Sequence, residues 1–185
     1  RALRGVAFAG GLFLVIQLGA LALVPTFAGD PRYQTVEDVS DPTNSVVYLG
    51  AILVVTVLML AAFRYDLDRV VRWVIVFTSG LLAWYVFEAL LAPVPALALA
   101  AAVALALLVY PEWYVIDAAG VVMGAAAGGL FGINFGLLPS IVLLAVLAIY
   151  DAISVYCTEH MLDLAEGVMD LHIPVVLVIP LSLSY

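Results

Sequence analysis

Asp151 stands in the least hospitable place of any carboxylate in this 185-residue sequence. It lies inside an apolar run and follows Ser140 by 11 positions, about 16 Å down a helix that must cross roughly 30 Å of hydrocarbon. A side chain that short does not reach water by snorkelling. Its carboxyl must be neutral, paired, or turned toward a water-filled cavity made with other helices. Such a group can act as a general acid or base, relay protons or ligate an ion; the structural alternative is a protonated Asp that joins helices. Tyr150, rotated by about 100°, can pack its ring beside that carboxyl. Ala148 and Ser154, three residues to either side, share the face of Asp151 and let a partner helix come close.

Other chemistries find little support. Cys157 is the only cysteine, and His160 and His172 stand 12 apart in a polar stretch, so neither a metal site nor a cofactor is implied. All six cations are Arg and the net charge is −8, which argues against nucleic acid, since phosphate binding needs a basic face.

The elements that must position Asp151 follow from composition. At 66% hydrophobic and 11% charged residues, with a mean hydropathy of +1.22, the chain has lipid as its solvent. Six spans are expected, near Gly5 to Gly29, Asn44 to Phe63, Val70 to Leu91, Val94 to Tyr110, Tyr114 to Leu138 and Ser140 to Cys157. Pro93, Pro95, Pro111 and Pro139 mark the joints, because a residue without an N–H starts or ends a helix at little cost. Arg1, Arg4, Arg64, Arg69 and Arg72 fall on one side and Arg32 on the other, which places the N-terminus in the cytoplasm. A secretory leader is the weaker reading of the first span, whose apolar stretch is too long for one. The fold class is therefore all-α: a polytopic membrane bundle of six transmembrane helices over 1–157, then an amphipathic helix and an apolar connection over 158–185.

Several polar residues read as structural. Arg72, Asp117 and Glu88 lie near span ends and can snorkel, while Gln17 and Asn134 suit hydrogen bonds between helices. Gly120, Gly124, Gly128, Gly132 and Gly136 recur every four residues as a packing stripe for a close helix crossing. The segment from Asp30 to Thr43 reads as a solvated acidic loop. After a possible N-cap at Thr158, Glu159, Asp163, Glu166 and Asp170 line one helical face opposite Met161, Leu162 and Val168. The tail from Ile173 to Tyr185, with Pro174 and Pro180, is too short to cross as a helix and reads as an approach to a seventh span.

Tyr150-Asp151 in the sixth span, followed by a polar amphipathic stretch, resembles the first active-site motif of the presenilin and signal peptide peptidase family. Pro111-Glu112-Trp113 is similar to a presenilin sequence at the equivalent place, and the likeness, of an archaeal type, covers most of the chain from about Val70 onward. The resemblance implies an intramembrane aspartyl protease of nine spans. Asp151 would be one of two catalytic aspartates and Tyr150 a neighbour shaping the pocket. The second aspartate of such proteins lies in a Gly-x-Gly-Asp motif of the seventh span and a Pro-Ala-Leu motif lies in the ninth. This sequence has no Gly-x-Gly-Asp, and Pro95-Ala96-Leu97 falls at the start of the fourth span, so the chain resembles the N-terminal part.

The implied partners are a transmembrane helical substrate, the lipid bilayer and the C-terminal portion carrying the second aspartate; a homo-oligomer is left open. Substrate helices must unwind locally, and the tail from Ile173 to Leu181 would offer such a segment extended edge backbone. A competing reading is an ion-leak channel or proton-coupled transporter using Asp151, although internal repeats and paired broken helices are missing. A third is an inert scaffold.

Overall fold

The computed structural model describes residues 2–156, with side chains from residue 5 onward. The expectations placed on Arg1, on the Arg4 side chain, and on Cys157 through Tyr185 fall outside the described residues. Among the described residues there are six α-helices and no strand. They are α1 (Ala2–Ala28), α2 (Thr43–Arg64), α3 (Asp68–Leu90), α4 (Pro93–Val109), α5 (Trp113–Asn134) and α6 (Leu137–Tyr156), with a 3-10 turn over Pro31–Tyr33.

Five of the six are long and apolar enough to cross a membrane. The exception is α4, whose 17 residues rise about 26 Å, short of roughly 30 Å of hydrocarbon. It opens with Pro93 in its first turn, where the missing N–H costs nothing. Two boundaries differ from those read in the sequence. The fifth helix ends at Asn134 rather than Leu138, and α6 begins at Leu137, so Pro139 sits inside its first turn instead of between helices.

The glycine stripe does what its spacing requires for α1. Gly124, Gly128 and Gly129 of α5 lie so near Ile16, Ala20 and Phe27 that an added Cβ would come within 3.1, 3.2 and 3.1 Å of them. From the α1 side, Gly19 meets the Ala125 side chain at 3.0 Å on the same criterion. Gly136 lies beyond the helix, in the link to α6.

Two buried clusters hold the bundle. Leu23, Phe27, Tyr33, Val86, Ala125 and Ala126 fill the half nearer the link between α1 and α2, and Val76, Leu107, Ile116 and Ala119 the half nearer the turn between α2 and α3. Helix α3 contributes to both, through Val86 and Val76, and packs on α4 and α5. Helix α6 has α2 as its chief partner.

The turns are locally determined. After α2, Leu67 N–H donates to Ala62 O and Asp66 N–H to Phe63 O, a Schellman closure. Asp66 takes the left-handed position with φ 53°, a place usually given to Gly. The link from α1 to α2 is pinned rather than merely solvated. Asp30 accepts from the Arg32 backbone N–H and pairs with its guanidinium at 2.6 Å, while Arg32 also reaches Glu88 at 3.3 Å. Tyr33 is buried and donates its hydroxyl to Glu88. Asn134 accepts from Thr35 N–H at 2.7 Å and from Thr35 Oγ1, and donates to Tyr33 O and Leu130 O. Its partners beyond its own helix therefore lie in the link, not on another helix.

Candidate active site

Helix α6 presents one buried seam. Leu143 and Ser154 are buried and Leu147 and Tyr150 half-buried, at spacings of four, three and four, which is the repeat of a helix packed along a single partner. Asp151 sits next to that seam, one residue past Tyr150 and three before Ser154, and is exposed together with Ala148. Ser154 turns away from the Asp151 face into the packed one, although its hydroxyl bonds back to Asp151 O at 3.1 Å. The expectation of one small-residue face shared by Ala148, Asp151 and Ser154 is thus divided. Tyr150, the residue before Asp151, is half-buried and lies on the packed line.

Because α6 starts at Leu137, Asp151 lies 14 residues, about 21 Å, from the helix start, deeper than the 16 Å reckoned from Ser140. The residue is exposed among the described helices.

Two other ionisable residues of the spans, Glu88 and Arg72, are tied up in the architecture. Glu88 joins the pin of the link from α1 to α2, and Asp117 is buried in the first part of α5. Arg72 does not snorkel: its Nη2 donates to Leu108 O at 3.2 Å, with Leu107 O at 3.4 Å, at the C-terminal end of α4. Gln17 is exposed on α1. Among the described residues no group of three His, Cys, Asp or Glu side chains is placed to hold a metal.

Sequence reading missed one polar residue that bears on α6. Ser45, in the first turn of α2, is buried and donates to Pro139 O at 2.7 Å. A serine in a helical first turn reads as a capping residue, so only its three-dimensional partner reveals the contact.

Among the described residues the fold is all-helical, with five helices apt to cross a membrane and an exposed aspartate beside a packed seam, which defines a polytopic membrane protein. The family described as signal-peptide peptidase, presenilin aspartyl protease matches residues 10–185. A solved structure described as a presenilin family intramembrane aspartate protease in C222 space group is 32% identical. That likeness covers 92% of this chain and 72% of that one at a TM-score of 0.67. Another, in P2 space group, is 36% identical over 86% of this chain and 67% of that one, with a TM-score of 0.66. No curated protein matches. The chain belongs to the signal-peptide peptidase and presenilin family of aspartyl proteases. Its activity is intramembrane aspartyl proteolysis, and the channel or transporter reading is not favoured.

Proposed function

We propose that Asp151 is one of the two catalytic carboxyls of this protease, that Tyr150 shapes the pocket beside it, and that the second carboxyl comes from a further helix meeting the exposed side of α6. The observation that carries this reading is the position of Asp151. It is a lone acid on an apolar helix, next to the packed seam yet outside it.

Two carboxyls divide the work. One, ionised, takes a proton from water as the water oxygen bonds to the scissile carbonyl carbon. The other, protonated, first polarises the carbonyl oxygen and then gives its proton to the departing amine as the C–N bond breaks. In apolar surroundings two adjacent negative charges are costly, so the pair holds one proton and titrates as a unit. The substrate is a transmembrane helix, which must open locally because its carbonyls are engaged in its own hydrogen bonds.

The layout expected from the sequence completes the proposal. Helix α4 counts as a sixth crossing, 158–185 forms an amphipathic helix and an apolar connection, and the N-terminus is cytoplasmic. Arg64 and Arg69 flank the turn from α2 to α3, at the opposite end from Arg32, which supports that orientation.

The test is Asp151→Ala in the whole protein, assayed on a helical reporter in membranes. Cleavage should disappear while the amount of folded protein stays near wild type. Cleavage that persists overturns the role given to Asp151.

A further inference from the structure

Ser45 and Pro139 join the helix that bears Asp151 to its neighbour. Ser45 is 3% exposed, and its hydroxyl donates to Pro139 O in the first turn of α6. One turn further along α2, Tyr48 sets its ring edge-on against Phe135 at 4.5 Å, and Phe135 stacks on Phe131 at 4.4 Å. Gly136 N–H donates to Val39 O at 2.7 Å. The first turns of α2 are thus a bracket: Tyr48 meets Phe131 and Phe135 at the end of α5, and Ser45 holds the start of α6.

Beyond that bracket, α6 lies chiefly against α2, although α5 precedes it in the chain. The tilt of α6 relative to α2 is held along that seam and, at the first turn of α6, by the Ser45 bond to Pro139 O. Asp151 is 12 residues, about 18 Å, from Pro139, so a tilt of about 3° carries it about 1 Å. A displacement of about 1 Å can cost on the order of a hundredfold in rate where reacting groups must meet.

We propose that Ser45 is a positioning residue for the protease reaction, fixing the angle of α6 through Pro139 O and so the place of the Asp151 carboxyl. This rests on the reading of Asp151 as catalytic. Ser45 touches neither substrate nor the reacting atoms. Its loss should appear in the chemical step rather than in substrate binding, and a weaker donor of similar shape should give a smaller loss.

The experiment compares wild type, Ser45→Ala, Ser45→Cys and Asp151→Asn in the full-length protein, measuring kcat and KM on a helical reporter and the thermal midpoint in detergent. Ser45→Ala is expected to lower kcat about three- to tenfold, with KM and midpoint held, and Ser45→Cys to fall between it and wild type. Wild-type kcat in Ser45→Ala, with Asp151→Asn inactive, overturns the inference alone. So does a loss of kcat that tracks a lowered midpoint. Should Ser45→Ala not fold, Ser45→Cys decides: wild-type kcat in it overturns the proposal, and a reduced kcat at an unchanged midpoint supports it. Cleavage by Asp151→Asn would instead overturn the site reading on which the inference stands.

Discussion

Arg72 Nη2 donates to the carbonyl of Leu108 at 3.2 Å, so an arginine of α3 closes the C-terminal end of α4. The last carbonyls of a helix have no partner within it, and the helix dipole places partial negative charge there. A guanidinium answers both needs. It matters most for a helix of 17 residues that lacks the length of its neighbours. Replacing Arg72 by Met should destabilise the protein by about 1–3 kcal/mol, the usual worth of a hydrogen bond to a charged group. Amide exchange should quicken at the end of α4. An unchanged midpoint and unchanged exchange would show that water or lipid headgroups serve those carbonyls equally well.

Two glycines of one sequence stripe should respond oppositely to alanine. At Gly136 a Cβ would stand 2.7 Å from Val39 O and 3.3 Å from Ser40 Cα, both backbone atoms that cannot swing aside. Gly136→Ala should therefore cost about 1–3 kcal/mol by overpacking. At Gly132 the nearest atom is Val24 Cγ2 at 4.0 Å, ordinary contact. Gly132→Ala should be neutral or stabilise by up to about 1 kcal/mol, because a helical glycine gives up more backbone freedom than alanine. Thermal midpoints of the two variants decide the matter, and equal shifts would contradict the geometry.

The pin that Asp30, Arg32, Tyr33 and Glu88 form should be sensitive to pH at both extremes. Burial, with the Glu88 carboxylate beside it, raises the Tyr33 phenol above its ordinary value of 10.0. The unfolded chain ionises first, so the stabilisation is whole below about pH 10 and disappears as pH climbs through the raised value. On the acid side, the Arg32 side chain and then its backbone N–H hold Asp30 below 3.8. That contribution is present above about pH 4 and is lost as pH falls through the lowered value. Limited proteolysis of residues 30–42 should be flat between these limits and rise outside them. Tyr33→Phe should remove the alkaline component, and a persisting alkaline rise would assign it elsewhere.

How much was readable in advance depended on whether a residue's partner lay within one helical repeat. The spacing of Gly124, Gly128 and Gly132 announced a groove, and α1 lies in it. Apolar run length marked five crossing helices, and Asp151 stood out because nothing near it in sequence could satisfy an acid. Partners set by tertiary packing were not readable. Arg72 and Glu88 were expected to reach for water and instead hold α4 and the link from α1 to α2. Asn134 was expected to join helices and holds a loop. Pro139 resembled a break between spans, yet its ring fits a first helical turn, and its carbonyl oxygen, which has two lone pairs, accepts Ser45 as well. Ser154 and Asp151, three apart, pointed to one face; the packed line that separates them became visible only once α2 was in place.

Asn134 has four hydrogen-bonding valences and uses all of them, two on Thr35 and one each on the carbonyls of Tyr33 and Leu130. Along the same link, Gly136 N–H rivets Val39 O. The stretch between α1 and α2 is thus measured out in short fixed lengths, and a residue added or removed between Tyr33 and Thr35 would leave a rivet without its hole. Past Val39 the fastening continues, with Ser40 N–H on Asp38 Oδ1, Thr43 N–H on Asp41 Oδ1 and Asn44 Nδ2 on Asp38 O. No stretch of the link is slack, so a change of length anywhere in it would alter how far the paired α2 and α6 stand from the rest of the bundle.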